Sequence, residues 1–230
     1  MSHQVQYQDI GTIDYKKAWD YQEELFNQVL QAKRNEEPPV HHLLFCEHPH
    51  VYTLGKSGQQ NNLLIDPNFL KKINATYYKI NRGGDITYHG PGQIVGYPIL
   101  NLEAFHIRVK KYIHMLEDAV MATLKEYGIE GGRLENATGV WLDTEDPDKT
   151  RKICAIGVRA SHFVTMHGFA FNVNTDLNYF NYINPCGYQD RGVTSMQKEL
   201  GEKMDMENVK RRLKHHLGIR FNVVYVKQKK

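Results

Sequence analysis

From Asp14 to about Asn35 the apolar positions Ala18, Tyr21, Leu25, Phe26, Val29 and Leu30 recur at steps of three and four residues. That spacing predicts an amphipathic helix with Asp14 as its N-cap, ended by Pro38 and Pro39. Two short β-rich runs follow, residues 43–46 and 51–54, separated by Glu47-His48-Pro49-His50. They predict adjacent strands around a functional turn. Residues 76–80 lead into a glycine-rich segment and residues 94–100 follow it, which predicts strand, loop, strand.

The clearest periodicity lies in residues 106–127, where Val109, Tyr112, Ile113, Leu116, Val120 and Leu124 share one helical face. Gly128 falls where a left-handed C-terminal cap belongs. Apolar runs at 140–142, 153–158 and 169–173 predict strands, with the polar loop 143–150 just before Lys152. Residues 205–217 predict a last helix, capped by Asp205 with Met206, Val209, Leu213 and Leu217 on one face, before a strand at 221–226. Strands grouped between isolated helices favour an α+β fold over regular βαβ winding. No internal repeat is present.

A chain of 230 residues can bury a substantial core, and no linker-like stretch divides it, so residues 1–230 are expected to form one domain. The formal charge of +3 and pI near 8.6 suit approach to an acidic protein. They fall short of the concentrated positive charge of a nucleic-acid binder, and Lys227, Lys229 and Lys230 read as a solvated tail. No apolar run approaches the roughly 18 to 20 residues of a membrane helix, and the start lacks the apolar core of a secretory signal. A cytoplasmic protein is expected. The wide spacing of Cys46, Cys154 and Cys186 resembles neither a disulfide scaffold nor a metal knuckle, so reduced thiols are expected.

Cys46 and Cys154 lie inside apolar runs and read as small buried residues. Cys186, between Pro185 and Gly187, is either a structural turn thiol or a nucleophile presented on a loop; spacing leaves both open. Lys152 at the start of a strand-like run is ordinarily an exposed strand-end charge. Set near Cys186, it would lower the thiol pKa, while its own desolvation would make it a usable base. Residues 82–93 combine Gly83, Gly84, Gly90 and Gly92 with Arg82, Asp85, Thr87, Tyr88, His89 and Gln93. They match neither the phosphate loop nor the dinucleotide pattern, and serve either as a tight turn or as a wall closely approached by a carbonyl group. His41, His42, His48 and His50 cluster in sequence without the spacing of a metal site, and no metal is expected. His162 and His167 read as hydrogen-bonded structural residues, and His89 as the better candidate for a site role.

Five segments in order carry a resemblance over most of the chain: residues 47–55, Arg82 to Gln93, Arg151-Lys152 with 155–159, residues 167–170 with Asn172, and Pro185-Cys186-Gly187. In these the chain resembles the lipoyl(octanoyl) transferases, which move an octanoyl group from acyl carrier protein onto a lysine of lipoate-dependent proteins. The resemblance implies a fold like that of the biotin and lipoate protein ligases, a mixed sheet packed with helices. It implies Cys186 as the acyl-thioester nucleophile and Lys152 as the residue that lowers its pKa. Arg82, Gly83, Gly84, Asp85, Ile86, Thr87, Tyr88, His89, Ala155, Ile156, Gly157, Gly168, Phe169 and Ala170 are implied to line the acyl site. Octanoyl-acyl carrier protein is the implied donor. Lipoyl domains of 2-oxoacid dehydrogenase subunits and the glycine cleavage H protein are the implied acceptors, in the first step of endogenous protein lipoylation. Cys154 sits where a small apolar residue is expected, placing a second thiol near the site without a catalytic role.

Thioester exchange is nearly balanced in free energy, so neither ATP nor another cofactor is expected; amide formation on the acceptor lysine then draws the reaction forward. Backbone N–H groups of the glycine-rich wall are plausible oxyanion donors. An octanoyl tail has about six methylenes, and burying them contributes about 5 kcal/mol. The rivals are an ATP-dependent lipoate protein ligase, which lacks the need for Cys186, and a non-catalytic binder of acyl groups or lipoyl domains.

Overall fold

A computed structural model describes residues 2–184 and 192–226. The chain begins with β1 (His3–Thr12) and α1 (Tyr15–Arg34), then β2 (His41–Glu47), β3 (Val51–Leu54), α2 (Pro67–Lys72), β4 (Thr76–Lys79), β5 (Ile86–His89) and β6 (Gln93–Ile99). After α3 (Val109–Lys125) come β7 (Gly132–Leu134), β8 (Ala137–Leu142), β9 (Arg151–Ser161) and β10 (Val164–Asn172). A 3-10 turn at Leu177–Tyr182, β11 (Gly192–Val193), α4 (Met196–Leu200), α5 (Met206–Phe221) and β12 (Val223–Val226) complete the described chain.

The larger sheet runs β12-β1-β2-β6-β10-β9-β8-β7, with β11 paired to β9. It is mixed: β1 lies parallel to both β12 and β2, β11 parallel to β9, and the other neighbours are antiparallel. A smaller sheet, β4-β3-β5, stands apart from it. The α+β expectation, with helices packed on a mixed sheet, describes this architecture.

Strand alternation explains the layers. On β2, Leu43 and Phe45 join the core under α3 and α5, while Leu44 and Cys46 join the core under α1. On β10, Phe169 and Phe171 face α3 and α5, and Val164 and Met166 face α1. The predicted helices follow from their caps: the Asp14 carboxylate accepts from Lys17 N, and Asp205 accepts from the N–H groups of Glu207 and Asn208. Gly128 takes the left-handed conformation after α3, with φ of 73°.

Three expectations are corrected. β2 and β3 are not adjacent, because Glu47 to His50 carries the chain from the larger sheet to the smaller one. His48 fixes that crossing: its Nδ1–H donates to Ile13 O at 2.8 Å and its Nε2 accepts from the Tyr97 hydroxyl at 2.7 Å. The segment after β4 is not one loop, since β5 lies inside it. β1, α2, β7, β11 and α4 lie where the hydrophobic pattern predicts nothing.

Candidate active site

Where α1 no longer covers the larger sheet, the smaller sheet and the 3-10 turn border a cavity of about 730 Å³. Its sheet wall consists of Ala155 and Gly157 on β9 and Gly168 and Ala170 on β10, paired across the strands as Ala155 with Ala170 and Gly157 with Gly168. Small residues leave this wall flat. A Cβ at Gly168 would collide with the carbonyl of Gly96 on the next strand, so the wall admits no side chain at that point.

The opposite wall comes from residues 82–93. Arg82, Gly84, Asp85, Ile86, Thr87 and His89 line the cavity, as do Gln93 and, from the sheet side, Ile156 and Phe169. Gly83 and Tyr88 do not line it. The Gly83 N–H is bonded to the Val158 carbonyl at 2.9 Å, which ties the segment to β9 and removes that group as an oxyanion donor. Tyr88 is fully buried on the far side of the smaller sheet, where its hydroxyl pairs with His50 Nδ1 at 2.7 Å and its ring stacks on Tyr179.

A directional hydrogen-bond relay crosses this wall. Arg82 Nη2 donates to the Thr53 carbonyl at 2.7 Å and to the Thr53 hydroxyl at 3.1 Å. That hydroxyl is 3.3 Å from His89 Nε2, and His89 Nδ1–H donates to Gln93 Oε1 at 2.9 Å. Gln93 Nε2 donates to Asn172 Oδ1 at 2.9 Å, and Asn172 Nδ2 to the Thr194 carbonyl at 3.0 Å. Both nitrogens of His89 are therefore occupied. Burial, followed by the nearby His48 and Arg82, drives its pKa well below the usual histidine value, so it is a neutral structural member of the wall. Asp85 is likewise engaged, accepting from Asn62 Nδ2 at 2.8 and 2.9 Å and from Ile86 N at 2.6 Å.

The innermost surface is aromatic and polar, formed by Tyr15, Tyr97 and His167. His167 Nε2 pairs with Asn81 Oδ1 at 2.8 Å, its backbone N–H donates to Gln22 Oε1 at 3.1 Å, and burial lowers its pKa to about 3. His167 is thus hydrogen-bonded, as expected, and it also faces the cavity. Tyr15 and Tyr97 carry no distinguishing signal in the sequence. Tyr15 follows a helix cap and Tyr97 sits in a strand, so each resembles an ordinary core aromatic.

Lys152 lines the same cavity, at its β8–β9 side, together with Thr138 and Trp141. Its Nζ lies 4.4 Å from the centroid of the Trp141 ring. Its neighbour Arg151 turns away into an ion-pair cluster with Glu199, at 2.5 and 2.7 Å, and with Asp143. Cys154 is fully buried on the α3 side of β9, in the core rather than on the cavity wall, and burial raises its thiol pKa far above the ordinary range. Cys46 is also fully buried, with its pKa raised for the same reason. Cys186 lies outside the described residues, which end before it at Asn184 and resume at Gly192. Asn184, Gly192 and Val193 all line the cavity.

The sequence-adjacent histidines do not converge. His41 packs against His3 and Phe105, His48 bonds Tyr97, and His50 stacks on Tyr179. Among the described residues no group of three or more His, Cys, Asp or Glu side chains is arranged to hold a metal ion, and no helix is long and apolar enough to cross a membrane.

Residues 14–218 match the family model of the lipoyl protein ligase A/B catalytic domain. An octanoyltransferase of Bacteroides fragilis is 59% identical over 209 residues, covering 91% of this chain and 94% of the relative. An octanoyltransferase of Flavobacterium johnsoniae is 57% identical over 224 residues, covering 94% of this chain and 96% of the relative. Among solved structures, the bipartite lipoate protein ligase of Thermoplasma acidophilum superposes with a TM-score of 0.70 at 13% identity, covering 99% of this chain and 87% of that one. Lipoate-protein ligase A bound with ATP superposes with a TM-score of 0.68 at 14% identity, covering 99% and 89%. At that identity the structural likeness concerns the fold alone.

Proposed function

The chain belongs to the lipoyl protein ligase A/B catalytic-domain family, and from that premise we propose that it is an octanoyltransferase of protein lipoylation. One observation carries the choice between the two chemistries of the family: the relatives that share more than half of its residues are octanoyltransferases, whereas the ligases share 13–14% and a fold. The donor is octanoyl-acyl carrier protein and the acceptors are lysines of lipoyl domains, including those of 2-oxoacid dehydrogenase subunits and the glycine cleavage H protein. The whole chain acts as one catalytic domain in the cytoplasm.

In this reading Cys186 is the nucleophile and Lys152 its proton partner. The resting pair is a thiolate and an ammonium. The Cys186 sulfur attacks the thioester carbonyl, the carrier's C–S bond breaks, and the departing carrier thiolate takes a proton from Lys152. Lys152, now neutral, removes a proton from the incoming acceptor ammonium. The amine nitrogen forms the amide bond, its second proton passes to solvent, and Cys186 leaves as the thiolate that restores the pair. The flat wall of Ala155, Gly157, Gly168 and Ala170 suits an extended acyl group, and it supports the assignment of Arg82, Gly84, Asp85, Ile86, Thr87, His89, Ile156 and Phe169 to the acyl site. Gly83 and Tyr88 act one layer behind, holding the segment in place.

The deciding experiment incubates the purified protein with octanoyl-acyl carrier protein and a lipoyl domain without ATP. Octanoylated lipoyl domain should appear, and a hydroxylamine-labile octanoyl group should map to Cys186. Transfer that occurs only with free octanoate and ATP would overturn the reading in favour of a ligase. Retention of full turnover by Cys186→Ala would remove the thioester intermediate.

A further inference from the structure

Regular alternation along β9 would turn Lys152 away from the cavity. Cys154, Ile156 and Val158 pack in the α3-side core, Ile156 also bordering the cavity, while Ala155 and Gly157 form its flat wall. Counting back in twos from Cys154 puts residue 152 on the α3 side. A one-residue register shift reverses this. Val140 pairs with Cys154 but Trp141 pairs with Lys152, so Ile153 is an extra residue on β9, fully buried in the α3-side core. The bulge re-aims Lys152 onto the cavity face. On the facing strand Gly139 adopts φ of 122°, and a Cβ there would lie 2.5 Å from the Cys154 carbonyl oxygen and 3.6 Å from Lys152 Cε.

The same register makes Trp141 the cross-strand partner of Lys152, which places both side chains on one face. Trp141 is 1% exposed, and its indole N–H donates to the Ala137 carbonyl at 2.8 Å. The ring is thus fixed before Lys152 meets it. With Nζ 4.4 Å from the ring centroid, the ammonium is drawn to the negative face of the indole.

We propose that Trp141 is a positioning residue of the transfer reaction. Its indole face holds the Lys152 ammonium at the cavity wall and favours the charged form, so that the proton stays on Lys152 until a departing thiolate takes it. This rests on the assignment of Lys152 as the proton partner. Among the described residues, the charged groups packed on each side of Lys152 have these partners. On the α3 side Glu117 accepts the Gly139 N–H and the Arg133 guanidinium, and Cys154 is kept protonated by burial. Along β9, Arg151 is tied to Glu199 and Asp143. Across the cavity Asp85 is bound by Asn62, Arg82 by Thr53, and Lys198 of α4 lies on the rim.

Trp141→Phe and Trp141→Leu both lose the bond to Ala137, but only the leucine variant loses the aromatic face. The Lys152 titration is read from the pH dependence of its acetylation by acetic anhydride, quantified by mass spectrometry at residue 152. A Cys186→Ala background removes the thiolate's own effect. The leucine variant should titrate about half a unit to one and a half units below the phenylalanine variant, which should stay near the parent. In the Cys186 protein, kcat/KM should fall roughly 2- to 30-fold further for leucine than for phenylalanine. If the leucine variant fails to fold, incorporation of singly and multiply fluorinated tryptophan takes its place, and the Lys152 pKa should step down with each fluorine. Identical titration of the two variants, or no response to fluorination, overturns the proposal and leaves Trp141 as packing. A fully active Lys152→Met would instead overturn the catalytic assignment, while the titration difference stands or falls by itself.

Discussion

The two polar walls of the cavity are built on opposite principles. Across residues 82–93 each member of the relay from Arg82 to Thr194 is a donor or acceptor with a partner, and His89 is locked in one tautomer between Thr53 and Gln93. At the β8–β9 edge Lys152 is aimed by a backbone bulge and rests on an indole face. Hydrogen bonds at fixed geometry make a rigid frame that resists any change of protonation. A cation over a ring is held by an electrostatic attraction that constrains direction less than a hydrogen bond at fixed geometry does. The hydrogen-bonded frame and the cation proposed to carry the proton thus occupy separate walls.

The contrast is broken most strongly by Lys152→Met. Turnover should fall about 10²- to 10⁴-fold while the melting temperature barely moves, as checked by steady-state transfer and calorimetry. Gln93→Leu should do the reverse. It leaves His89 Nδ1, Asn172 Oδ1 and the Tyr88 carbonyl without Gln93 in a buried region, and should lower stability by about 3 kcal/mol in urea unfolding. Transfer at temperatures well below melting should fall by less than about tenfold; a larger kinetic than stability effect would mean that the relay takes part in proton movement. Gly139→Ala lies between these outcomes. Strained φ and the contact with the Cys154 carbonyl should remove about 2 kcal/mol of stability, and the displaced bulge should reduce turnover as well.

Acid should unpick the fixed histidines. Burial lowers His41, His42 and His48 to about 4, so the folded protein refuses protons that the unfolded chain accepts below its ordinary value near 6.5. Their contribution is complete above that value and is lost as pH falls from about 6.5 toward 4, at about 1 kcal/mol per histidine by pH 5.5. His42→Leu, which removes an unpartnered buried Nδ1, should flatten the pH slope and raise stability at pH 5.5. A melting temperature unchanged between pH 7 and 5.5 would contradict this. Lys16→Ala, which removes an exposed pair with Asp20, should leave the urea-unfolding midpoint unchanged.

Much of the framework is legible in the sequence because it rests on local periodicity. The stripes of α1 and α3, the Asp14 and Asp205 caps and the left-handed Gly128 follow from spacing and residue type. β1 escapes because its sequence, HQVQYQDIGT, buries only Val5 fully and shows no apolar alternation. The pairing of β2 with β3 fails as an expectation because a four-residue link looks like a hairpin turn, whereas His48 anchors it to α1's entry and to β6. Most of the predicted site residues meet around one cavity, since ordered motif segments survive in the linear chain. The bulge at Ile153 leaves no such trace: residues 152–158 look like any alternating strand, and the shift exists only relative to β8. Trp141 is invisible for the same reason, because its link to Lys152 is a matter of cross-strand register.

The deep placement of Cys46 and Cys154 has a practical consequence for inhibitor discovery. Each is fully covered, and burial keeps each sulfur in its unreactive protonated state. An electrophilic fragment added to the native protein at neutral pH is therefore shielded from two of the three cysteines without any engineering. Whole-protein mass counting of thiol adducts would then be free of signal from these two sulfurs, making the unmodified chain its own counter-screen for covalent ligands.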